Sequence, residues 1–115
     1  MKDFNETIEY KDKEYKLVFN LNVMEKIQEE FGSTEKWGAM TDGSEGEPSA
    51  KAVLFGLTEM LNEGIDIEND EKGTNIPFLT KKQVGRILSD LGQQKAIQAL
   101  NNTVINSVKT ETKNA

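Results

Sequence analysis

Between Tyr15 and Gly32 the chain changes its hydrophobic period. Tyr15, Leu17 and Phe19 alternate with other residues, as on a strand with one buried face, whereas Met24, Ile27 and Phe31 recur at helical spacing. Ile8 and Tyr10 carry the two-residue period upstream, so residues 4–19 predict a β-hairpin with a polar turn, Lys11-Asp12-Lys13-Glu14. A lone hairpin is marginal in water and must pack on the segments that follow. A helix is predicted from Val23 to Phe31, with Asn22 and Glu25 at capping-box spacing and Gly32 as its stop. Residues 33–37 begin a short extra turn.

Further along, Gly38, Gly43, Gly46 and Pro48 mark a flexible loop. A second helix is predicted from Pro48-Ser49 to Glu63, ended by Gly64. Its buried face is Ala50, Val53, Leu54, Leu57 and Leu61, with Phe55 and Met60 at the edges. Residues 65–77 are acidic and polar and predict a second loop. The third helix has the clearest start: Thr80 and Gln83 have capping-box spacing, and Leu79 with Val84 occupies the staple positions around it. Val84, Ile87, Leu88 and Leu91 form its stripe, and Gly92 ends it. A fourth helix is predicted from Gln93 to Val108, with Ala96, Ile97, Leu100, Val104 and Val108 in phase. The pattern therefore predicts an α+β fold, an N-terminal β-hairpin followed by about four short helices in a small bundle. Residues 1–108 form a single domain, and residues 109–115 a disordered tail.

Composition removes chemistry. The 115 residues include no cysteine and no histidine. Thiolate and imidazole metal sites are absent, as is the commonest general base, so an enzyme is not expected and no cofactor is called for. There is no apolar N-terminal region of secretory type and no apolar run of about 20 residues that would span a membrane. The expected location is cytoplasmic. The net charge of −6 argues against nucleic acid or an anionic membrane as partner. The charge is also uneven: residues 22–76 hold four basic and thirteen acidic groups, and residues 77–115 hold six basic and two acidic. That split favours attraction between the two ends, within one molecule or between neighbours.

Candidate motifs mostly dissolve on inspection. Asp66, Glu68 and Asp70 count as positions 1, 3 and 5 of a calcium loop, but the glycine and terminal glutamate that the loop needs are Glu71 and Pro77. The glycines between Asp42 and Glu47 have no basic residue and match no phosphate-loop pattern. Lys81, Lys82 and Arg86 cluster at the start of the third helix, but no helix precedes it across a tight turn, so a DNA-reading pair is not formed. They read as a solvated face or as a docking face for an acidic protein. Trp37, the single tryptophan, with Met40 nearby, covers a core edge or anchors a partner.

Four features resemble the tail assembly chaperones of long-tailed phages and prophages of Gram-positive bacteria. The hairpin ends in Tyr15-Lys16-Leu17-Val18-Phe19. The helix Val23-Met24-Glu25-Lys26-Ile27 with Phe31-Gly32 follows directly. A leucine-rich middle helix leads to an acidic stretch, and Leu79-Thr80-Lys81-Lys82-Gln83-Val84-Gly85 opens a late helix. The resemblance spans roughly residues 10–105 and rests on structural signatures. It implies a chaperone that coats the tape measure protein in the host cytoplasm, helps recruit the tail-tube protein, and self-associates. It assigns no binding residues. Trp37, Met40, Lys81, Lys82 and Arg86 are candidates from this chain alone. The rival readings are a structural tail component retained in the particle and a small regulatory or adaptor protein.

Overall fold

A computed structural model of the chain describes residues 6–44 and 46–114, with side chains described as far as Ser107. The predicted strand start at Phe4 and the last residue of the predicted tail lie outside the described residues. The elements are β1 (Glu6–Tyr10), β2 (Lys13–Leu17), α1 (Leu21–Phe31), α2 (Thr34–Thr41), α3 (Ala50–Lys72), α4 (Lys81–Leu91) and α5 (Gln93–Asn114). This is the expected α+β fold, a hairpin followed by helices, with five helices among the described residues.

β1 and β2 pair antiparallel with Ile8 opposite Tyr15 and Tyr10 opposite Lys13. The turn is therefore only Lys11-Asp12, both at positive φ (51° and 64°). A two-residue hairpin of this twist requires φ above zero at both positions, and the sequence lacks the glycine that would announce it. Lys13 and Glu14 belong to β2. Ile8 and Leu17 are buried on the inner face.

β2 leads directly onto α3. The Val18 N–H donates to the Met60 carbonyl at 3.3 Å, and Phe19 is buried one residue on. Asn20, rather than Asn22, caps α1 by accepting the Val23 N–H at 3.2 Å. Asn22 instead joins Asn20 in donating to the Glu63 carboxylate, at 3.1 and 2.8 Å, which ties the start of α1 to the middle of α3. The extra turn at residue 33 is a full helix, α2, capped by Ser33.

The largest departure from the sequence pattern is α3, which passes through Gly64 and ends at Gly73, whose left-handed φ of 66° closes the helix. Residues 65–72, predicted as loop, are its last two turns. Ile65 continues the buried stripe, while Met60 sits at its centre and not at an edge. α3 packs against β2 and all four other helices, so the core (Ile27, Trp37, Leu57, Leu61, Val84, Ile87, Leu100) is arranged around it. α5 backs β1 and continues through residues 109–114, where the pattern predicts a tail.

Two asparagines hold the returning segment 74–80 along α3. The Asn62 side chain accepts the Leu79 N–H at 2.8 Å and donates to the Leu79 carbonyl at 2.9 Å. Asn69 does the same to Ile76, at 2.9 and 3.0 Å. Each amide thus satisfies both backbone polar groups of one residue, as a neighbouring strand would. Leu79 then packs on the core, and Thr80 and Gln83 form the expected capping box of α4. Asn62→Ala removes two part-buried hydrogen bonds at once. It is expected to destabilise the protein by about 2 kcal/mol, read as a lower urea midpoint at unchanged slope.

Candidate functional site

α4 has two unlike faces. Val84 and Ile87 are buried in the core, while Lys81, Lys82, Arg86, Ser89 and Asp90 are exposed. Gly85 lies between the faces, and a Cβ placed on it would meet nothing within 4 Å. The bare backbone there opens an open groove of about 720 Å³ between α4 and Leu54 of α3, rimmed by Lys81, Lys82 and Arg86. Past Gly85 and Ser89 the groove deepens into a more enclosed hollow of about 280 Å³, where Val53, Leu54, Leu88 and Ala96 supply an apolar floor. Three elements make this site: the first turns of α3, the outer side of α4 and the start of α5.

The electrostatics of the rim are one-sided. Lys81, Lys82 and Arg86 share the groove's lining with one carboxylate, Asp90. Among the described residues, ion pairs join Lys51 to Glu30 at 3.4 Å and Lys72 to Glu68 at 3.5 Å, and the three rim cations take part in neither. In a chain of net charge −6 this is a local reversal of sign.

The sequence candidates therefore separate. Lys81, Lys82 and Arg86 come together on one groove. Trp37 and Met40 do not line it. Trp37 is 2% exposed, stacks on Phe19 with ring centroids 6.3 Å apart, and donates its indole N–H to the Ala52 carbonyl at 3.0 Å. It is a core residue in this conformation and offers a partner no surface. Met40 is half-buried against the same core, and its carbonyl accepts the Ser49 N–H at 2.8 Å just before α3 begins.

Other candidates lose their chemistry. Asp66, Glu68 and Asp70 stand on α3, where successive residues turn about 100° apart and cannot wrap one ion. Among the described residues, no three acidic side chains are grouped to hold a metal. In the glycine-rich loop, the Asp42 carboxylate accepts the Ser44 N–H at 2.8 Å, a bond that holds its carboxyl below the usual aspartate range. That is a local turn, with no cation to hold a phosphate. Among the described residues no helix is long and apolar enough to cross a membrane.

The chain matches no protein family, no curated protein and no solved structure. Its site must be judged on its own geometry. The groove residues Leu54, Gly85 and Leu88 were missed as a set by sequence reasoning, since Leu54 and Leu88 count there as ordinary core positions. The usable signal is Gly85, a glycine in the interior of a strongly capped helix. Such a residue costs about 1 kcal/mol relative to alanine unless close approach requires it.

Proposed function

We propose that this protein is a non-enzymatic phage tail assembly chaperone that binds the tape measure protein, aids tail-tube assembly, and acts in the host cytoplasm. The observation that carries the reading furthest is the α3–α4 groove. It has an apolar floor open to solvent beside a charged rim, which is the arrangement used to seat one face of an amphipathic helix. A tape measure protein is a long helical client that exposes such faces before assembly. An acidic partner of net charge −6 masks them and adds solubility. The sequence resemblance supports the same reading, as does a chain without histidine or cysteine.

Co-expression with the tape measure protein of the same genome tests it. The expected result is a soluble tape measure that co-elutes with many copies of this chain. An insoluble tape measure beside a folded, unbound partner overturns the reading. Recovery of the chain from purified particles then favours a structural tail component. A regulatory or adaptor protein remains if it is found in neither place.

A further inference from the structure

The α4 cations stand where a helix tolerates them least. Lys81 and Lys82 are its first two residues, and its first turn contains no acidic side chain. The unpaired N–H groups of that turn already carry partial positive charge, so a sequence selected for helix stability places Asp or Glu there. The charge is therefore a local conflict, and such conflicts mark positions kept for another purpose. Arg86 lies one turn further along the same rim, and Gly85 leaves the backbone bare between them.

From this juxtaposition we propose that the groove takes an acidic amphipathic helix, laid along α4 with its apolar side on Leu54 and Leu88 and its carboxylates on Lys81, Lys82 and Arg86. The identification of the groove as the client site rests on the chaperone reading, whereas the chemistry of the occupant rests on the groove. From Lys81 to Ser89 α4 rises about 12 Å, so the contact accommodates about two turns of a docked helix. Gly85 and Ser89 are the small residues that allow the two helices to approach, and a side chain at residue 85 would project into the gap. The rest of the chain is net acidic, which disfavours the same ligand elsewhere.

The probe is a helix-stapled peptide of about 15 residues, with leucines along one face and glutamates flanking them, against a twin in which lysine replaces every glutamate. Fluorescence anisotropy with the full chain should show the acidic peptide binding roughly tenfold or more tightly than the basic one, and weakening as salt rises. The double variant Lys81→Glu/Lys82→Glu should lose that preference while its thermal midpoint rises, because the new carboxylates suit the helix terminus. Gly85→Leu should remain folded and bind neither peptide. Equal binding of both peptides, or unchanged binding by Gly85→Leu, overturns the proposal. So does self-association of the free chain that Gly85→Leu disperses, because the occupant is then a second copy. If acidic peptide binds but the tape measure does not co-elute, the groove chemistry stands and the chaperone reading fails. If the tape measure co-elutes equally with Gly85→Leu, the chaperone reading stands and the groove is not the client site.

Discussion

Trp37→Ala is expected to cost about 3–5 kcal/mol, a large part of the roughly 5–15 kcal/mol that holds a domain of this size together. Three losses combine. The indole fills the space between Phe19 and α3, and its removal leaves a cavity that the packed neighbours fill only in part. Its hydrogen bond to the Ala52 carbonyl goes as well. The room for the ring is itself specified: Gly56 lies directly beneath it, and a Cβ at that position would collide with the Trp37 six-membered ring. Urea unfolding followed by far-ultraviolet circular dichroism checks this, since the variant has no tryptophan fluorescence. A variant of near-parental stability that no longer captures the tape measure would instead make Trp37 a partner anchor, contrary to its burial.

The second large effect is Gly64→Ala. On helix propensity alone the substitution would stabilise an interior helical position by about 1 kcal/mol. Here the added Cβ would lie 2.6 Å from the Lys16 carbonyl oxygen. The obstacle is backbone in a paired strand, so no rotamer relieves it. Either β2 lifts from α3, stretching the 3.3 Å Val18–Met60 hydrogen bond, or α3 bends. A net loss of about 2–3 kcal/mol is expected. Gly85→Ala is the internal control, because open space surrounds its Cβ and a gain of about 0.5–1 kcal/mol is expected there. Calorimetric midpoints moving in opposite directions for the same chemical change would establish that close approach, and not helix entropy, decides the first case. Equal signs would refute it.

These two glycines also show where the chain's pattern is legible and where it is not. Period and cap chemistry are local, so the hairpin, the Thr80–Gln83 box with Leu79 and Val84, and the stop at Gly92 follow from neighbouring residues alone. Gly64 looks identical to a helix stop in sequence. What distinguishes it is the approach of Lys16, far away along the chain. The same applies to residues 65–72, which look like a loop because they are polar. They are helical, with Ile65 buried and Asn69 bonded to Ile76 in the returning segment, contacts that a polar composition does not announce. Asn20 and Asn22 both donate to Glu63, and what makes Asn20 the cap is its extended backbone just before α1, from which its side-chain oxygen accepts the Val23 N–H. At the site, the cations were visible as a cluster. The apolar floor was not, since Leu54 and Leu88 count in sequence as core positions and are in fact only partly buried, lining a hollow between α3, α4 and α5.

The pair of asparagine clamps on α3 carries a geometric condition. Asn62 and Asn69 are seven residues apart on a helix, a rise of about 10.5 Å. Leu79 and Ile76, the residues they hold, are three apart, and three extended residues span about 10 Å. Pro77 favours that extension by disfavouring a helical conformation at Ile76. Helix and strand thus act as two rulers whose marks coincide at both ends. The stretch from Ile76 to Leu79 therefore has a fixed length, and Thr74, which donates both its N–H and its hydroxyl to Asn69, ties the glycine end of the connection to the same clamp. A single residue inserted beside Pro77 would put one clamp out of step with the other and carry the basic rim away from Leu54.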